Sequence, residues 1–128
     1  MLGAIIGDIV GSRFEWNNNR SKKFDFLTYK CSVTDDSIMT LAIAKALLES
    51  KSDYSDLSEN AVKFMQGIGR HYPNCGYGGR FREWIHSDNP KPYGSYGNGS
   101  AMRVSACGFV ANSLQEVKQL SKAVTEVT

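Results

Sequence analysis

At 128 residues the chain has room for one domain and not two, so any site must be built on a single modest core. Hydrophobic residues at 41% and charged residues at 22% belong to a soluble globular chain rather than a disordered one. Fifteen Lys plus Arg against thirteen Asp plus Glu leave a net charge of +2, with no block of five like charges, which argues against a nucleic-acid partner.

The first apolar run, Leu2 to Val10, is interrupted by Asp8, has no basic segment before it and is too short to span a bilayer. Neither a signal peptide nor a membrane segment is expected. Cys31, Cys75 and Cys107 are odd in number and form no CxxC pair, which suits reduced thiols and a cytoplasmic setting. Small and apolar residues dominate Leu2 to Phe14 and predict a helix. Gly3, Gly7 and Gly11 fall on one face of it, and because each glycine costs about 1 kcal/mol in a helix interior, another backbone or a ligand is expected against that face. Asp8 and Glu15, about two turns apart, would share a second face.

Phe24 to Cys31 reads as irregular connection. From Thr34 to Ser50 apolar residues occupy nearly every side, with Ile38, Met39, Ile43, Ala46 and Leu47 among them, predicting a buried central helix that starts at a Thr34 N-cap. A third helix begins at Asp56, with Glu59 in capping-box position, and stops at Gly67 and Gly69; a short helical turn surrounds Phe81, Trp84 and Ile85. Ser87 to Gly99 is rich in Pro, Gly, Ser, Asn and Asp, a loop long enough to suggest function. Ser100 to Val110 resumes as an apolar helix. Ser113 with Glu116 then caps a last amphipathic helix carrying Leu114, Val117, Leu120, Val124 and Val127 to the final residue with no stop signal, so the chain is expected to be cut. No alternating pattern rivals these helices, and the expected class is all-α.

Three groups of residues could carry chemistry. Thr34, Asp35 and Asp36 are hard oxygen donors of the kind Mg²⁺, Mn²⁺ or Ca²⁺ takes, although the same three residues would also cap a helix and complement its dipole. Two adjacent like charges leading into an apolar helix repel each other unless a cation lies between them. Glu15, with Asp8, could serve as a general base or orient a hydroxyl or a metal-bound water; the alternative is a surface ion pair with Arg13, Arg20 or Lys22. Glycines 94, 97 and 99 beside Ser95, Asn98 and Ser100 could leave backbone N–H groups free for a phosphate, or simply form a turn. Gly76, Gly78 and Gly79 repeat the theme beside Tyr77 and Phe81, while His71 and His86 lack partners at ligand spacing.

Taken in series, GAIIGDIVGSRFE at Gly3 to Glu15, TDDSIMTLAIAKAL at Thr34 to Leu47 and YGNGSAMRVS at Tyr96 to Ser105 resemble the ADP-ribosylglycohydrolase family over nearly the whole chain. The resemblance implies an all-helical bundle, a centre of two Mg²⁺ or Mn²⁺ ions, and hydrolysis of the bond between ADP-ribose and a modified side chain or a related linkage. It implies metal ligation by Thr34, Asp35 and Asp36 and catalytic roles for Glu15 and Asp35. It also implies substrate binding by Gly78, Ser95, Tyr96, Gly97, Asn98, Gly99 and Ser100. The expected partner is an ADP-ribosylated protein or an ADP-ribose-containing small molecule, with no nucleic acid and no membrane.

One departure shapes the expectation. Family members are about twice this long, and their second metal motif, Asp-x-Asp followed by Thr or Ser, has no counterpart among the seven aspartates here. Residues 1–128 are therefore expected to be the N-terminal portion of a single such domain, apparently truncated. The rest would come from further chain or another copy, as in a homo-oligomer, or the protein would be a non-catalytic ADP-ribose or nucleotide binder. A helical module that self-associates through an exposed apolar face is the reading furthest from chemistry.

Overall fold

Helix α2, Asp35–Glu49, organises the molecule. Thr34 caps it, its side chain accepting the Asp36 N–H at 3.3 Å. Beyond the cap, Ser37, Ile38, Met39, Thr40, Ala42, Ile43, Ala46 and Leu47 are buried, so apolar side chains face other helices on three sides, each worth about 1.5–3 kcal/mol when fully withdrawn from water. A computed structural model describes all residues 1–128 and shows helices with no strand. The all-α expectation holds. No helix is long and apolar enough to cross a membrane.

Around α2 stand α1 (Leu2–Gly11), α3 (Leu57–Gly69), α4 (Gly79–His86), α5 (Gly99–Met102), α6 (Cys107–Val110) and α7 (Leu114–Thr125). The main partner of α2 is α3, which also receives α4 and α7, while α5 and the 3-10 turn Val104–Ala106 lie against α2 from the other end of the chain. Met39, Ile43, Leu57, Met65, Ile85 and Val124 are fully buried where these helices meet. Thr40 is buried too, and its hydroxyl donates to the Met102 carbonyl at 3.2 Å, which fastens the glycine-rich segment to the central helix.

Several local expectations change. The first helix does not run smoothly to Phe14: it gives way to a 3-10 turn at Ser12–Phe14, and Glu15 stands exposed after it. Nothing packs on the Gly3, Gly7 and Gly11 face, since a Cβ at any of them would meet no atom within 4 Å. The cost those glycines impose on α1 therefore buys no close contact within this chain. Ser100 to Val110 is three short turns rather than one helix. Asp56 does not cap α3, because its carboxylate accepts from the Lys51 N–H at 3.0 Å instead. The α7 cap does form, with Ser113 Oγ accepting the Glu116 N–H at 3.1 Å.

Candidate active site

The first turn of α2 is held from outside by Asp8 of α1. One Asp8 carboxylate oxygen accepts the Thr34 hydroxyl; the other accepts the Thr34 N–H at 3.0 Å, the Ser37 N–H at 3.2 Å and the Ser37 hydroxyl at 2.5 Å. A helix start leaves N–H groups without intrahelical partners, and Asp8 takes those of Thr34 and Ser37 from 26 and 29 positions away in sequence. Its role is thus to fix where Thr34, Asp35 and Asp36 point. The motif spacing flagged Asp8 as a carboxylate; only the way α1 meets α2 shows that its oxygens are committed.

Asp35 faces inward. Its N–H donates to the Cys75 carbonyl at 2.7 Å, and its Oδ1 lies 3.3 Å from where a Cβ on Gly76 would stand. Gly76 has φ of +99°, a conformation side-chain-bearing residues rarely adopt, so a glycine both makes this turn and leaves room for the carboxylate. Burial first, then the neighbouring Asp36, Glu15 and Asp8 charges, push the Asp35 carboxyl up to about 6. Burial, with Asp8 and Glu15, raises Asp36 as well. No cation offsets this crowding, since the ion pairs of the chain are Lys45–Glu49 and Lys122–Glu126, both remote in sequence. The surface ion pair considered for Glu15 does not form.

Asp35 opens onto a cleft of 260 Å³ that Gly78, Ser95, Tyr96, Gly97, Asn98 and Gly99 also line. The fold thereby brings to one concavity seven of the site residues that the family resemblance implies. Ser100, Thr34, Asp36 and Glu15 do not line it. Tyr96 is 92% exposed, a free aromatic ring at the rim. The N–H groups of Gly97, Asn98, Gly99 and Ser100 donate to no backbone acceptor, whereas those of Ala101 and Met102 both bond the Asn98 carbonyl. Four amides are left for something else.

Sequence reasoning did not anticipate the back of the cleft. Arg103 is fully buried, and its guanidinium donates to the carbonyls of Val124 and Thr125 and to the Thr128 hydroxyl, at 2.8 to 3.4 Å. No carboxylate partners it; burial lowers it to about 10, so it stays charged at neutral pH. Arg80 lies over the Tyr93 ring at 4.7 Å and donates to the Tyr93 carbonyl at 2.6 Å. Arg103 falls within the Tyr96–Ser105 motif without a role assigned to it and Arg80 had no local signal, because each acts through residues 13 or more positions away.

The profile of the family described as ADP-ribosylglycohydrolase matches residues 1–128. The chain belongs to the ADP-ribosylglycohydrolase family. It is 28% identical to ADP-ribosylhydrolase ARH3 of Gallus gallus over all of its own length and 43% of that protein. It is 31% identical to ADP-ribosylhydrolase ARH3 of Xenopus tropicalis over 81% of its length and 36% of that protein. The human ADP-ribosylhydrolase ARH3 is 27% identical, again over the whole chain and 43% of the relative. The chain thus spans less than half the length of the curated relatives it matches. No solved structure matches it.

Proposed function

We propose that this chain supplies the ADP-ribose cleft and part of the metal shell of a hydrolase that cleaves the glycosidic bond between ADP-ribose and a modified side chain, or a related ADP-ribose linkage. The observation that carries the reading is the convergence of Asp35 with the Gly78 turn and the Ser95–Gly99 loop on one concavity. The relatives are named as ADP-ribosylhydrolases, which agrees with this chemistry.

Mg²⁺ or Mn²⁺ fits the residues present in donor type and in charge. Thr34, Asp35 and Asp36 offer hard oxygens, and burial together with the neighbouring carboxylates raises the Asp35 and Asp36 carboxyls, a crowding that a divalent cation would relieve. The shell is partial: no three His, Cys, Asp or Glu side chains within this chain are placed to hold an ion together. A bound pair of such ions would supply Lewis acidity and an acidified water. The chain's own groups do the rest. Unpaired amides at Gly97 to Ser100 bind the diphosphate, Ser95 and Asn98 offer side-chain hydrogen bonds at the cleft wall, and the free face of Tyr96 covers a base. Asp35 orients a ribose hydroxyl. Glu15, exposed beside the cluster, takes or returns the proton as the glycosidic bond breaks through an oxocarbenium-like state.

A second reading, a non-catalytic ADP-ribose binder, is favoured by the partial shell alone. Calorimetry with ADP-ribose, run with and without Mg²⁺, and chromatography of ADP-ribose released from ADP-ribosyl-arginine and ADP-ribosyl-serine peptides separate the two. Where the metal shell is complete, the hydrolase reading expects Mg²⁺-dependent release that the Asp35→Asn, Asp36→Asn double variant abolishes. Metal-independent binding without release from such a complete protein would make the chain a binder, and no binding at all would end both readings.

A further inference from the structure

Between Arg13 and Lys30 the chain carries five cations, Arg13, Arg20, Lys22, Lys23 and Lys30, against two carboxylates, Glu15 and Asp25. This one connection holds more positive charge than the +2 of the whole chain. Arg13, Lys23 and Lys30 line a single open concavity of 390 Å³, floored by Phe14 and Phe24, whose rings meet edge to face at 5.4 Å. It shares no residue with the cleft.

None of the three cations has a carboxylate within ion-pair distance, including Asp25, which lies in the same concavity. Arg13 is fixed by neutral acceptors: Nη1 donates to Thr28 Oγ1 at 2.9 Å and Nη2 to the Asp25 carbonyl. Its guanidinium lies 4.5 Å from the centre of the Phe14 ring and 5.7 Å from that of Phe24. Its Nε is buried with no partner. These contacts hold the group still and leave its charge uncompensated, and a concave wall concentrates the field of such charges. The position is informative as well, because Arg13 and Phe14 directly precede Glu15, whose charge is felt by Asp35 and Asp36. The aromatic floor is ill suited to stacking nucleotide bases, since the rings engage each other and the guanidinium. Carboxylates, by contrast, are what a fixed arginine and two exposed lysines bridge.

We propose that this concavity docks an acidic segment, a run of Asp and Glu side chains, of the protein that bears the ADP-ribose. The assignment of the occupant to the substrate protein rests on the hydrolase reading; the preference for an acidic peptide does not.

The test is fluorescence anisotropy of a labelled hexaglutamate peptide titrated with the 128-residue chain. Saturable binding is expected, weakened steeply by added salt and about tenfold or more by the Lys23→Glu, Lys30→Glu double variant, whose fold is checked by circular dichroism. Both lysines are exposed, so the variant is expected to fold. A second pair, Lys118→Glu with Lys122→Glu on α7, reports any loss due to net charge alone and is expected to weaken binding far less. No binding, equal loss in both pairs, or tighter binding of a single-stranded oligothymidine of the same charge would overturn the proposal. ADP-ribose calorimetry on the same preparation separates the two readings. Peptide binding without ADP-ribose binding would refute the hydrolase and leave an acidic-peptide site. ADP-ribose binding without peptide binding would refute this surface alone.

Discussion

Replacing Asp35 by Asn should make the metal-free protein more stable, the reverse of what most substitutions at a helix start do. The folded carboxyl titrates at about 6 against an ordinary value of 3.8. That difference is worth at most about 3 kcal/mol at neutral pH, at 1.36 kcal/mol per pH unit of displacement. The side chain is only partly buried, so solvent screening reduces the figure to about 2 kcal/mol. That displacement already nets the favourable helix-start amides against burial and repulsion. The gain expected is about 2 kcal/mol, or an increase of about 5–8 °C in Tm for a domain of this size. The sign with pH follows from a folded value above the unfolded one. The stabilising contribution of the protonated carboxyl is complete below 3.8 and is lost as pH rises through about 6. Thermal unfolding followed by circular dichroism in a chelator, across this window, should show wild-type Tm depressed above the window relative to Asp35→Asn, with the two converging below it. Millimolar Mg²⁺ should restore the wild type and leave the variant unmoved. A variant no more stable than wild type above the window would mean that Asp35 is not an uncompensated charge, and the argument for a cation there would fail.

Removing the external clamp should do the opposite. Asp8→Ala strips partners from Thr34 and from the buried Ser37, and a loss of about 2–4 kcal/mol is expected in urea unfolding, with Asp8→Asn intermediate. Gly76→Ala forces a side chain into a positive-φ turn and toward Asp35, and should cost about 1–2 kcal/mol while weakening ADP-ribose binding measured by calorimetry. Arg103→Met leaves buried carbonyls near the end of α7 without donors. A loss of about 2–3 kcal/mol is expected, with amide hydrogen exchange fastest at Tyr93 and Ser95, whose N–H groups donate to the Thr128 carbonyl.

The parts of this protein written in its sequence are those whose physics acts within a turn or two. The apolar content of residues 35–49 and the Thr34 cap define α2, Ser113 and Glu116 start α7, and the Gly97–Ser100 run leaves amides unpaired because it begins α5, where no preceding turn offers them acceptors. The family, too, was readable from three short motifs in order. What lay beyond it needed the chain to be folded. Asp8 caps a helix 26 residues away, Gly76 seats the carboxylate of Asp35, and Arg103 ties the cleft to α7 through carbonyls more than 20 residues on. Whether Glu15 would continue α1 depended on the break at Ser12, and whether Asp35 would sit in the cleft while Asp36 did not depended on how α2 lies against the Cys75 turn. Periodicity and caps report local free energy, but the direction in which a carboxylate points, and how far its charge is removed from water, are set by whatever distant segments come to rest beside it.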